Sequence, residues 1–387
     1  MNRFRVNMVL LLVLCMCLAS CGMQSTQDRH SAPIASGVAD GSTPAVEGRS
    51  PFTLEELRVF RAEVAKAEKI SDENERCLAY PNPPGSHWQR DTVIAYCHYQ
   101  LQPTLNPEFM EEALEHGMGT EIDSAIAEQV KMTASVEHPQ DSIWRSLGAN
   151  FETPSSRTRS MVDDWKRQSP RSALAYTASG YVYIVMAAKA RGSDWASQTP
   201  DANFAAMHGL LDKAKEDLAK AVELDPSLSS AYALMVHVGQ LGGDPAYSRE
   251  WARRGLAVDP GSYAIYQQLA RAAQPRWGGS RASQGALIRS ADKESLVNPL
   301  LATIRAAVLT DVYDLDACDC ATSKEQAVYR ETFDQVGPFI DLLRAGENAK
   351  RHNQPELAFV YLSEAWRFHP GPDVMQDRQA VAAQLDP

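Results

Sequence analysis

The chain has no run of lysine or arginine. Its 38 basic residues are scattered among 49 acidic ones, for a net charge of −11. A surface of that sign repels nucleic acid and anionic headgroups, so no nucleic-acid partner is expected. Also missing are Gly-x-Ser-x-Gly, a Gly-Lys-Ser phosphate loop, Gly-x-Gly-x-x-Gly and His-Glu-x-x-His, which removes the chemistries most easily recognised from sequence. The nine histidines are scattered, with no pair at metal spacing on one helix. Runs of alternating polar and apolar residues are absent too, which argues against sheet. Tyr181-Val182-Tyr183-Ile184-Val185 has strand-like composition, but its Ala-rich flanks read as helix.

The first residues are different in kind. Arg3 and Arg5 precede an apolar run from Met8 to Leu14, extended by Cys15 to Ala19. That run is too short to anchor as a spanning helix and reads as a secretory signal over residues 1–20. Leu18-Ala19-Ser20-Cys21 resembles the lipobox of bacterial lipoproteins. The resemblance implies diacylglyceryl transfer to the Cys21 sulfur, cleavage before it and acylation of the new amino terminus. Two or three acyl chains hold a membrane far more firmly than one. Gly22 rather than Asp implies, by analogy with enteric sorting, the outer membrane facing the periplasm. Gly22 to Ser50 is rich in Gly, Ala, Ser, Thr and Pro without apolar periodicity, and reads as a tether spanning about 30 Å.

Of the seven cysteines, Cys15 and Cys17 leave with the signal and Cys21 is the lipid acceptor. Cys77, Cys97, Cys318 and Cys320 remain, an even number that favours disulfides in an oxidising compartment. Three pairings are open. Nearness in sequence favours Cys77–Cys97, where the chain-entropy model gives about 3 kcal/mol. Cys318–Cys320 would close a tight, strained ring.

From Phe52 onward the pattern is helical. Thr53 and Glu56 form a capping-box signature before a one-sided apolar set. The strongest internal signal is a repeat: Asp225-Pro226 recurs as Asp259-Pro260, and Tyr232 as Tyr266, both at an offset of 34. A helix–turn–helix period of that length resembles the tetratricopeptide repeat. Its second helix carries small, large and small residues before a terminal proline. Ala214, Leu218, Ala221 and Pro226 follow that spacing; so do Ser248, Ala252, Gly255 and Pro260, and again Ala358, Leu362, Ala365 and Pro370, with Gly346 on the preceding helix. Small residues let helices approach, and proline ends the helix. The copies diverge: Val236 and Gly239 stand where the motif prefers Gly or Ala and then Tyr, and 282–299 carries an insertion.

Residues 160–291 also resemble the bacterial family catalogued as domain of unknown function 4034. The carriers are Trp165 to Ser172, the Ala190-Arg191-Gly192 step and, most specifically, Pro275-Arg276-Trp277-Gly278-Gly279-Ser280. That family implies the fold and no activity. The expected organisation is a signal (1–20), lipidated Cys and linker (21–50), an N-terminal helical region (51–159), a tetratricopeptide-like core (160–299) and a C-terminal helical region with one more hairpin (300–387). The fold class is all-α, a divergent helical-repeat solenoid.

Candidate sites follow from these elements. In tetratricopeptide repeats the first helix of each pair lines the concave face. That register puts His237 and Gln240 there from one repeat, and Gln267, Arg271 and Gln274 from the next. Trp277 with Gly278 and Gly279 reads either as a ligand platform or as a plug between repeats. Asp311, Asp314, Asp316, Cys318, Asp319, Cys320 and Glu325 form the densest acidic and thiol cluster. It partly echoes a calcium loop, though Asp319 sits where Gly is needed, and zinc would need further ligands such as His352. Glu111, Glu112, Glu115 and His116 read as a wet helix surface. The expected function is a non-catalytic envelope scaffold, lipid-tethered and without cofactor, that holds a protein or peptide in a groove. The alternatives are an immunity-type lipoprotein that neutralises a toxin, and a metal-dependent enzyme built on 311–325.

Overall fold

A computed structural model describes residues 50–134, 138–153, 155–318 and 322–385. Cys21, the signal and most of the tether lie outside the described residues, as do Asp319 and Cys320. The described chain is all helix, without a strand. In order come α1 (Leu54–Ala67), α2 (Glu73–Ala79), α3 (Arg90–Leu101), α4 (Pro107–Glu115), α5 (Gly119–Thr133), α6 (Pro139–Phe151), α7 (Ser156–Gln168), α8 (Ala173–Arg191) and α9 (Asp201–Leu224). They are followed by α10 (Ser229–Leu241), α11 (Pro245–Val258), α12 (Tyr263–Ala272), α13 (Arg281–Glu294), α14 (Thr303–Val312), α15 (Ser323–Thr332), α16 (Phe339–Arg351), α17 (Pro355–Phe368) and α18 (Pro372–Leu385). No helix among the described residues is long and apolar enough to cross a membrane.

The repeat is a real packing unit, and glycine sets it. Helices α8 and α9, α10 and α11, and α16 and α17 form hairpins whose axes approach where one side chain is missing. A Cβ on Gly180 would lie 2.5 Å from Leu218 Cγ, and one on Gly346 would lie 2.7 Å from Leu362 Cγ. Both leucines occupy the large position of the sequence motif. The divergent copy uses a different contact. Val236 has no room to act as the small residue, so the approach moves one turn along, to Gly239. There a Cβ would fall 2.4 Å from Ser248 Oγ and 2.7 Å from Ser248 N. Ser248 Oγ then donates to Val236 O at 2.9 Å. Neighbouring repeats meet at Gly255, which leaves room for Ile265 and Tyr232.

The proline corners share one geometry. Asp225, Asp259 and His369 each cap a second helix with φ of −140°, −139° and −142° and ψ of 94°, 86° and 80°. Each donates its N–H four residues back, to Ala221, Gly255 and Ala365. The residue before proline is driven to extended backbone, which ends the helix at a fixed angle. Ser169, before Pro170, caps α7 in a similar way (φ −126°, ψ 67°).

The apolar cores are grouped differently from the expected division. One runs from Leu105 on α4's approach through α8 to Leu228, and a second covers α8 to α12. The third joins α1, α2 and α3 to the far end of the chain, from Tyr263 to Val381. Residues 51–101 thus form an outer layer on the C-terminal hairpin. Phe60 meets Phe359 edge-on at 6.3 Å, and Tyr96 meets Phe368 at 4.7 Å. Cys77 and Cys97 are bonded, with Cα atoms 6.0 Å apart, and tie α2 to α3 inside this layer. Cys318 is half-buried, and the expected Cys318–Cys320 pairing lies partly outside the described residues.

Arg367 fastens the layer. It is 2% exposed, donates through Nε to Cys77 O at 2.7 Å, and pairs with the buried Glu364 at 3.1 Å. Its guanidinium also lies 5.6 Å from the Trp88 ring. Arg367→Ala leaves Glu364 buried without a counter-charge and should cost about 3–5 kcal/mol in denaturant unfolding. Gly180→Ala should cost about 1–3 kcal/mol by overpacking. Combined with Leu218→Ala it should cost less than the two single losses added, because the clash and its target are removed together.

Candidate functional site

The five residues expected to line one groove do not share one surface. His237, Gln267 and Arg271 gather on the inner side of the repeats, where α6 lies across α8, α10 and α12. Trp144 of α6 donates its indole N–H to Gln267 Oε1 at 2.6 Å and packs 6.2 Å from Tyr181. The inner face of these repeats is therefore partly filled by the protein's own helix. Burial, reinforced by the nearby Arg271 charge, pushes the His237 ring down to about 3, so it stays neutral at neutral pH. Nothing in a sequence register reveals such filling, because α6 is about 90 residues away in the chain.

Gln240 belongs to a second surface, an open cleft of about 750 Å³ at the hairpin-turn edge of α8 to α13, whereas Gln274 is not among its lining residues and is linked to it through Arg276. Its walls follow from local sequence. α10 stops at Gly242-Gly243, where Gly243 adopts φ +72°. Asp244 then caps α11 by accepting from Tyr247 N at 2.9 Å, which puts Arg249 in that helix's second turn. On the opposite wall, Pro275 to Ser280 forms a tight turn. Gln274 O accepts from Trp277 N at 2.9 Å and from Gly279 N at 3.1 Å. Gly278 is left-handed at φ +83°. Gly279 has no space for a side chain, since a Cβ would lie 1.9 Å from Ala273 O. Ser280 then caps α13.

That turn presents Trp277 at the cleft with 36% of its surface exposed. The two glycines fold the turn, and the indole is partly exposed at the wall of the cleft. The floor is apolar: Phe204, Met207, Leu241, Leu269 and Leu287. The rim is cationic. Arg191, Arg249 and Arg276 line the cleft from three separate elements, with His208 beside them and no carboxylate among the lining residues. Arg191 is held by the carbonyls of Gly192 and Asp194, at 3.1 and 3.0 Å. Arg276 donates to Gln274 Oε1 at 2.8 Å. Among the described residues none of the three pairs with an acid. Gln240 Oε1 is buried without a hydrogen-bond partner. The sequence motif Pro-Arg-Trp-Gly-Gly marked one wall of this cleft; Arg249 and the floor carried no signal of their own.

The acidic and thiol cluster does not assemble as a metal site among the described residues. No three His, Cys, Asp or Glu side chains are grouped as a metal would require. Asp311 accepts from Gln284, and Asn348 reaches the carbonyls of Leu315 and Cys318. His352 caps the end of α16, and Asp319 and Cys320 lie outside the described residues. Glu111 and Glu115 border a shallow surface hollow, where Glu111 pairs with Arg157.

One acid is electrostatically unusual. Asp341, on α16, is 9% exposed. Burial raises its carboxyl to about 7, with Asp316 adding to the rise and Arg344 and Arg271 opposing it. Its folded form takes up a proton that the unfolded chain releases near pH 4, so this group favours folding progressively as pH falls from above 7 toward 4. Asp341→Asn should therefore stabilise the protein by about 1–3 kcal/mol at pH 8 and by about a third as much at pH 5, read from denaturant midpoints. No family model matches the chain, and no curated protein matches it.

Proposed function

We propose that this chain is a non-catalytic helical-repeat scaffold of the bacterial envelope, tethered through lipid at Cys21, that holds a protein or peptide segment in a groove. The observation that supports it is the open cleft beside Trp277. It combines an apolar floor, an exposed tryptophan and several arginines, the residue types that carry binding energy at protein interfaces. Its volume lies in the range of ordinary ligand sites. The gripping surface in this reading is the hairpin-turn edge, because α6 occupies part of the inner face.

Two measurements check the two halves of this reading. Cys21→Ser should move the protein from the membrane fraction to the soluble fraction; unchanged membrane association excludes the lipid tether. A photo-crosslinker placed at Trp277 in cells should join the protein to a specific polypeptide. The same crosslinker at Arg171, an exposed position between α7 and α8, should not. Equal labelling at both positions, or none at Trp277, removes the cleft as the gripping surface.

A further inference from the structure

The charge of the cleft narrows what it takes, provided that it is a polypeptide groove. In a chain of net charge −11, carboxylates outnumber basic groups everywhere on average. Here the ratio is inverted: three guanidiniums and one imidazole line the cleft, and no Asp or Glu does. The two acids nearest Arg249 in sequence are engaged elsewhere, and Asp194, three residues from Arg191, is not among the lining residues. Asp244 caps α11, and Glu250 pairs with Arg253 at 2.8 Å. The field inside the cleft is thus positive against a negative surround, which draws in anions and repels a second copy of this acidic chain.

The cations are also distributed. Arg191 closes α8, Arg249 stands on α11, and Arg276 sits in the turn before α13. A single-headed amphiphile has one anionic group and satisfies one of these positions. A peptide with several carboxylates satisfies more than one. Between them lies the apolar floor of Phe204, Met207 and Leu269, with Trp277 open at the side. A second tryptophan, Trp195, is 75% exposed on the loop that carries the lining residue Ala196. We infer that the occupant is an extended acidic segment of a partner protein that seats one or two large apolar side chains on this floor while its carboxylates meet Arg191, Arg249 and Arg276. Arg249 supplies the long-range attraction, because it is exposed and has no acidic partner. Arg276 is already oriented by Gln274, so it recognises a carboxylate at a defined place.

The test uses the full folded chain and fluorescence anisotropy with an end-capped octapeptide of alternating Glu and Leu or Phe. Two controls share its length: one with Lys for every Glu, one with Ser for every apolar residue. The acidic-apolar peptide should bind, and both controls should bind at least tenfold more weakly. Raising salt from 50 to 300 mM should weaken the complex several-fold. Arg249→Glu with Arg276→Glu should reverse the preference toward the Lys peptide. These are surface changes, and an unchanged melting temperature confirms the fold. Trp277→Ala should weaken the acidic peptide without altering the charge preference. The inference is overturned if the Lys peptide binds as well, if the double variant keeps the original preference, or if dodecanoate or phosphatidylglycerol vesicles bind more tightly and displace the peptide. Failure here is separable from failure of the scaffold reading. If the crosslinker at Trp277 captures a partner through a basic or neutral segment, the scaffold stands and the acidic assignment falls.

Discussion

The structure depends on helix pairs that approach more closely than ordinary side chains permit. At Gly180, Gly239 and Gly346 a helix face has no Cβ, and a leucine or serine from the partner helix occupies that space. Close approach sets the separation of the hairpin, and the large partner residue sets its register. The proline corners then hand each hairpin to the next with nearly the same backbone angles. Moving the contact in the α10–α11 pair from Val236 to Gly239 shows that the constraint is geometric. The chain keeps the approach even where it abandons the motif position.

Stacked hairpins leave two ends and an inner face, and this protein covers the last hairpin and part of the inner face with its own helices. The N-terminal helices α1 to α3 lie on the last hairpin, held by aromatic pairs, a disulfide and the buried Arg367–Glu364 pair. A buried ion pair of this kind is costly to half-remove, because the remaining charge is left without a partner. Helix α6 lies along the inner face and contributes Trp144. What remains open is the hairpin-turn edge, where short loops with glycine leave the floor of the cleft uncovered.

Electrostatics points to the same edge. Several basic side chains on the surface pair with an acid three or four residues away on their own helix, as Arg58 does with Glu55 and Arg253 with Glu250. Such exposed pairs contribute little energy, but they neutralise the local field. Arg191, Arg249 and Arg276 escape that neutralisation, and they meet only because three elements distant in sequence converge. A positive cleft in an acidic protein is a property of the fold and not of composition.

The helical class, the hairpin period, the crossing at Gly346, the Thr53 cap and the Cys77–Cys97 bond were legible in the chain itself, whereas the crossings at Gly180 and Gly239 were not. Each of the legible features depends on residues a few to a few tens of positions apart, and local backbone chemistry dictates them. The turn at Pro275 to Ser280 was legible as a feature, though not the exposure of Trp277. Other properties were decided by tertiary packing alone: that residues 51–101 cover the far end of the chain, that α6 enters the inner face, and that His237 and Gln240 serve different surfaces. Repeat register tells which way a side chain points from its own helix. It carries no information about which distant segment arrives to bury it, because that choice is made by the apolar area and the charges that the whole chain brings together.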